Sequence, residues 1–190
     1  MRTFIAIELG DPVRARMEEA LSRMRRMTPG PRWVKSGSLH LTLAFLGEMA
    51  DAGVPDVDAV LAQVASRHRP ITLSAGGSGT FGPLSSPKVL WVALSGDLEA
   101  LAALQGELAA ELAKLGHAPD FEHFEPHITL ARSRNLRGDP SLTRCADTLR
   151  DSSFGEVRVG EVSLFSSMNE PEGMRYSALA RHPLGPQGNG

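Results

Sequence analysis

The sequence predicts an α+β protein built as two similar lobes that face one site. Three observations predict it. Short β-branched and apolar runs alternate with stretches that carry apolar residues at helical spacing. The order of these elements recurs, the second half displaced from the first by 85 to 87 residues. A His-x-Thr-x motif opens one strand in each half, as Leu39-His40-Leu41-Thr42-Leu43 and as Pro126-His127-Ile128-Thr129-Leu130, and 127 − 40 = 87.

Residues 4–9 read as a strand. Asp11-Pro12 then opens a helix, with Asp11 as N-cap and Pro12 at its first position. Val13, Met17, Ala20, Leu21 and Met24 form the apolar face of that helix, and Thr28-Pro29-Gly30-Pro31 stops it. Residues 33–34 are a short strand, and residues 39–46 carry the first motif until Gly47 ends them. A second helix covers residues 54–67 on Val57, Val60, Leu61 and Val64, and residues 71–75 form a strand. Residues 76–88, rich in Gly, Ser and Pro, read as a loop. Residues 89–94 form a strand. Gly96-Asp97 caps a helix that runs through Leu115 with Leu98, Leu101, Leu104, Leu108 and Leu112 on one face, and Gly116 fits its C′ position. Residues 127–131 form the second motif strand, 140–149 a helix, and 157–165 and 175–180 strands. The expected single domain is 1–182, followed by a disordered tail at 183–190. In the repeat, strand 4–9 corresponds to 89–94 and strand 71–75 to 157–161. Which lobe each late strand closes is left open by the pattern.

Composition narrows the function. The chain has 190 residues, 42% of them apolar and 22% charged, with a net charge of −2. That excludes binding nucleic acid mainly through bulk charge, which needs many phosphates to be neutralised. It leaves room for a small site that grips one phosphate. Cys145 is the single cysteine, so no internal disulfide can form, in keeping with a reducing cytoplasm. The N-terminal apolar run is too short for a signal peptide and Glu8 interrupts it, and no run nears the roughly 20 apolar residues of a membrane span.

In a strand, alternate side chains share a face. His40 therefore sits beside Thr42 and His127 beside Thr129, while Leu41, Leu43, Ile128 and Leu130 anchor the opposite face. Imidazole is the side chain that can give or take a proton near neutral pH. Two of them on one substrate allow one to act as acid and the other as base. Threonine hydroxyls can donate hydrogen bonds to the anionic oxygens on which charge builds. A phosphodiester fits this set, with no metal required. His123 and His127 are four apart, but Pro126 between them breaks the helix a metal pair would need. Gly77-Ser78-Gly79 lacks the Lys-Ser/Thr of a P-loop, and no cofactor is implied. Phe4, Trp91 and Tyr176 lie in strand-like runs as core residues, with stacking on a nucleobase as the functional alternative.

The sequence resembles the 2H phosphoesterases, and among them the bacterial and archaeal RNA 2′,3′-cyclic phosphodiesterases, historically called 2′-5′ RNA ligases. The resemblance is carried by Arg2-Thr3-Phe4-Ile5-Ala6-Ile7-Glu8-Leu9, Arg32-Trp33-Val34, both His-x-Thr-x motifs, Phe45-Leu46-Gly47-Glu48, Val89-Leu90-Trp91-Val92 and Ala131-Arg132. It implies a bilobal fold with two pseudo-twofold-related antiparallel sheets lining a central groove and helices outside. It implies hydrolysis of a terminal 2′,3′-cyclic phosphate on RNA to a 2′-phosphomonoester, with ATP-independent 2′-5′ joining as the reverse. His40 is then the proton donor and His127 the proton acceptor. Thr42, Thr129 and Arg132 are the substrate-binding residues, and the expected partner is RNA on a cytoplasmic monomer. Two positions depart from the family pattern: Ala44 and Glu125 stand where basic residues are common, removing positive charge near the expected site. Arg132 falls on the Leu130 face by strict alternation, and reaches the groove only if the strand ends or bulges first. Competing functions are the same chemistry on a small cyclic nucleotide or a 2′-5′ oligonucleotide, and a non-catalytic RNA-binding module.

Overall fold

The computed structural model describes residues 1–117, 124–170 and 173–185. Among the described residues ten strands and four α-helices follow one another: β1 (Arg2–Glu8), α1 (Asp11–Met27), β2 (Arg32–Trp33), β3 (His40–Glu48), α2 (Val54–Arg67), β4 (Ile71–Gly76), β5 (Gly79–Phe81), β6 (Val89–Gly96), α3 (Leu98–Lys114), β7 (His127–Arg132), α4 (Ser141–Leu149), β8 (Ser153–Val159), β9 (Glu161–Glu170) and β10 (Gly173–Pro183). The strands form one curled sheet in the order β10-β9-β1-β3-β7-β6-β4-β8, with β2 beside β7 and β5 beside β6. Every pairing is antiparallel.

The predicted two-lobed arrangement is present. β10-β9-β1-β3 is one lobe and β7-β6-β4-β8 the other. They meet where β3 touches β7 through Leu41 and Ile128, the apolar residues inside the two motifs. The late strands cross over. β4 comes from the first half of the chain but pairs with β6 and β8, and β9 from the second half returns to β1. The spatial counterpart of β4 is therefore β9, and the strand expected at 157–165 is two strands in two different lobes, divided at Gly160.

Three local readings change. Gly10, not Asp11, is the N-cap of α1. Asp11 is the first helical residue, and its carboxylate meets Arg14 at 3.2 Å. The 76–88 segment holds the short strand β5, which hydrogen-bonds along β6 from Gly79↔Trp91 to Phe81↔Val89. Residues 183–185 are built into the fold. Pro183 ends β10, Leu184 is buried, and the Gly185 N–H donates to the Ala65 and His68 carbonyls at the end of α2. Residues 186–190 of the expected tail, and His123, lie outside the described residues.

Elsewhere the sequence pattern translates directly. α2 spans the predicted 54–67, with Val57, Leu61 and Val64 buried. α3 is capped by the Asp97 carboxylate, which accepts from the Ala100 N–H at 3.2 Å. It ends in a Schellman turn. Gly116 takes φ 84°, its N–H reaches the Ala113 carbonyl, and the His117 N–H reaches Leu112. The helices cover one face of the sheet, where Ile5, Ile7, Leu41, Leu43, Leu90, Val92, Ile128 and Leu130 join the main core. The other face of the central strands is left for the site.

Candidate active site

Each motif strand presents its residues as alternation requires. Leu41, Leu43, Ile128 and Leu130 are buried in the core, and His40, Thr42, His127 and Thr129 are half-buried on the opposite face. All four line one groove of about 520 Å³, together with Arg132, Phe45 and Tyr176. That is the size of a small-molecule or nucleotide site.

The two histidines are held in the same way. His40 Nδ1 lies 2.7 Å from the Ser38 carbonyl, and His127 Nδ1 lies 2.7 Å from the Glu125 carbonyl. A carbonyl only accepts, so Nδ1 carries the proton in both rings. In the neutral imidazole Nε2 is then the basic nitrogen. Aromatic walls fix each ring plane. His40 packs on Phe4 at 5.0 Å and edge-on to Tyr176 at 5.3 Å. His127 meets Phe81 edge-on at 4.8 Å and Trp91 at 6.2 Å. Phe81 belongs to β5, so the strand hidden in a Gly-rich segment supplies one wall of the site. Phe4 and Trp91 serve as packing around the imidazoles, in line with their reading as structural residues.

Both histidines bind a proton less readily than free imidazole. For His40 the main cause is burial, with Arg132 and a charged His127 adding to it, against the Ser38 carbonyl and Glu8. For His127 it is again burial, then Arg132, against the Glu125 carbonyl and carboxylate. Burial also raises the Tyr176 hydroxyl, which keeps it a neutral donor.

A matched pair of bulges shapes the rest. Along β1, Ala6 pairs with Thr42 and Ile5 with Ala44, so Leu43 is an extra residue. Along β6, Trp91 pairs with Thr129 and Leu90 with Ala131, so Leu130 is the extra residue, 130 − 43 = 87 positions later. The bulged carbonyls find other donors. Buried Gln105 of α3 reaches the Leu43 oxygen at 3.4 Å, and the Val34 N–H reaches the Leu130 oxygen at 2.8 Å. Each bulge turns two successive residues, Leu43-Ala44 and Leu130-Ala131, into the core and returns the next one to the groove. This brings Arg132 to the site. It also corrects the reading of Ala44, which is 1% exposed against the core and is no place for a charge facing the groove. Glu125 remains exposed beside His127, where its carboxylate favours the imidazolium.

Pattern reading missed Phe81, Gln105 and the position of Phe45. The last was signalled in the repeat, since Phe45 precedes Arg132 by the same 87 residues.

Two lobes that present paired His-x-Thr faces to one groove make this a 2H phosphoesterase. The sequence profile of the 2′-5′ RNA ligase superfamily matches residues 11–170, and the chain belongs to that family. It is 30% identical over 179 residues to the RNA 2′,3′-cyclic phosphodiesterase of Archaeoglobus fulgidus, covering 94% of this chain and 98% of that protein. Among solved structures, a protein of Thermus thermophilus superposes with a TM-score of 0.81 at 30% identity, over 97% of this chain and 98% of the other. LigT of E. coli, in apo form, superposes with a TM-score of 0.69 at 28% identity over the same shares. LigT has also been solved with phosphate and with 3′-AMP.

Proposed function

We propose that this chain is an RNA 2′,3′-cyclic phosphodiesterase that works by two-histidine acid–base catalysis. The observation that carries the reading is the identical anchoring of His40 and His127, each through Nδ1 to the carbonyl two residues before it, on one groove with both threonines and Arg132. The activity of the curated relatives supports the substrate. The phosphate and 3′-AMP complexes of LigT support a groove that accepts a nucleotide phosphate.

His127 Nε2 takes a proton from water as the oxygen attacks phosphorus. The P–O3′ bond breaks, and His40 Nε2–H protonates the leaving 3′ oxygen, so the product is the 2′-phosphomonoester. The base gains positive charge as the reaction proceeds, and the Glu125 carboxylate beside His127 favours that charge. The hydroxyls of Thr42 and Thr129 and the Arg132 guanidinium hold the nonbridging oxygens. ATP-independent 2′-5′ joining is the same path run backwards, with an RNA 5′-hydroxyl in place of water. The reading extends to a single domain, which takes in residues 183–185 beyond the expected end at 182, and which acts as a cytoplasmic monomer without metal. Among the described residues no helix is long and apolar enough to cross a membrane, and no three acidic, His or Cys side chains group to hold a metal ion.

The test is product analysis on an oligonucleotide ending in a 2′,3′-cyclic phosphate, run in chelator. The expected product is the 2′-phosphate. A 3′-phosphate would reverse the assigned leaving group, and loss of turnover in chelator would remove the metal-free mechanism.

A further inference from the structure

Two cavities meet at His40. One is the groove. The other, of about 110 Å³, shares Phe4, His40 and Tyr176 with it and adds Glu8, Arg14 and Arg181. Glu8 ends β1 directly across from His40 on β3. It follows Ala6 by two residues, so it stands on the face where Phe4 and Ala6 pack with Phe165. Residues paired in this way hold their Cβ atoms about 4.5–5.5 Å apart, so a carboxylate flanks the imidazole. In the other lobe the residue across from His127 is Ala93 of β6, and 93 − 8 = 85, the displacement of these two strands. The two histidines share one kind of anchor and differ in their cross-strand neighbour, a carboxylate for His40 and a methyl group for His127.

We propose that Glu8 makes His40 the proton donor of the pair. The proposal rests on the cyclic phosphodiesterase reading and accounts for opposite roles in two imidazoles that are anchored alike. His40 must carry a second proton, on Nε2, before the 3′ oxygen leaves, and the Glu8 carboxylate favours that imidazolium across the strands. Glu8 acts through His40, so it is a positioning residue. The charges around it leave its own charge effective. Arg181 of β10 meets Glu8 at 3.1 Å, but Glu161 of β9 also draws it, at 3.7 Å, so the three side chains keep one negative charge in excess. Arg14 of α1 is met by Asp11 at 3.2 Å. Tyr176 of β10 and Phe165 of β9 bring no charge. Against a charged His40 stand its burial first, then Arg132 and His127 of β7, while the Ser38 carbonyl and Glu8 favour it. The carboxylate near His127, Glu125, is exposed, where salt screens it.

The experiment follows both imidazoles by NMR titration in the wild type, Glu8→Gln, Glu8→Asp and Arg181→Gln, with His40→Gln and His127→Gln assigning the signals. A neighbouring opposite charge moves a titration by about one to three pH units, and Arg181 cancels part of this. The His40 midpoint should therefore fall by about one unit in Glu8→Gln and stay near wild type in Glu8→Asp, while the His127 midpoint moves much less. Arg181→Gln should raise the His40 midpoint. On the alkaline side of the profile, kcat/KM for 2′,3′-cyclic AMP should fall by up to about tenfold in Glu8→Gln, the loss of imidazolium that one unit brings. An unchanged His40 midpoint or a wild-type kcat/KM–pH profile in Glu8→Gln overturns the proposal. So does a fall of the midpoint in both Glu8→Gln and Arg181→Gln, the result of breaking a merely structural ion pair. If the wild type opens no cyclic phosphate, the activity reading fails, and the titrations then decide the action of Glu8 on His40 alone.

Discussion

Gly79→Ala tests whether the wall around His127 is as tightly set as the structure shows. Gly79 sits across from Trp91 on β6, and a Cβ built there falls 2.3 and 2.4 Å from the outer ring carbons of the indole. Ordinary contact is about 3.5 Å, so the ring must retreat by about 1.2 Å, or β5 must lift. Neither is easy. Trp91 packs against Phe81 with ring centroids 5.2 Å apart and planes tilted by 36°, and it faces Thr129 across the ladder. In extended backbone, replacing Gly by Ala stabilises by about 0.4–1 kcal/mol through the unfolded chain. Overpacking costs about 1–3 kcal/mol, so the clash wins. For a chain of this size the net loss corresponds to a Tm lower by roughly 2–10 °C. A displacement of about 1 Å beside a reacting group costs up to about a hundredfold in rate, so kcat/KM should fall by tenfold or more. Thermal melts and steady-state hydrolysis of 2′,3′-cyclic AMP read the two effects. Trp91→Phe in the same chain removes the outer ring and should recover part of the Tm. Wild-type Tm and turnover in Gly79→Ala would refute the packing argument.

Four further outcomes are expected. His40→Gln and His127→Gln should each lower turnover by about 10²–10⁴ while circular dichroism stays native; full activity in either would remove the acid–base pair. Arg132→Met removes a charge that holds both imidazoles low, so both limbs of the kcat/KM–pH profile should move to higher pH, and a profile that keeps its position would show that Arg132 does not act on them. Because both histidines bind protons less readily folded than unfolded, stability should fall as pH drops below about 6.5. That slope should be shallower in His40→Gln, as measured by urea midpoints at a series of pH values. Gln105→Leu leaves the Leu43 carbonyl unpaired and should cost about 1 kcal/mol, or roughly 2–4 °C in Tm; an unchanged Tm would show that the 3.4 Å bond contributes nothing.

The motif strands and the main helices were legible because local rules determine them. Alternation alone placed His40 with Thr42 and His127 with Thr129, and apolar spacing alone bounded α2. What escaped depends on partners distant in sequence. β5 has too few apolar residues to signal a strand, and it exists because Gly79 lets Trp91 lie against it. The break at Gly160 is masked because apolar residues recur on both sides of it, Val157 and Val159 before and Val162 and Leu164 after, all buried, though in different lobes. Strict alternation puts Arg132 on the Leu130 face, and it reaches the groove through the bulge that this position requires, while the matching bulge turns Ala44, read as a position near the site, into the core. A bulge inverts the faces beyond it, and nothing in Leu43-Ala44 or Leu130-Ala131 marks one except their recurrence.

The exchange of β4 and β9 between lobes bears on how the chain acquires its structure during synthesis. When the ribosome has released residues 1–70, β1 and β3 exist but the neighbour of β1 on its other side does not. That place is filled only by residues 161–170. β4, made next, must wait for β6 and then β8. Neither lobe can close from its own half of the chain, so the sheet is completed last-in, by contacts of long sequence separation. Such topologies fold slowly and leave strand edges open meanwhile. A chain cut near residue 150 should therefore emerge as an aggregation-prone fragment, with the first histidine's strand formed and its lobe unfinished.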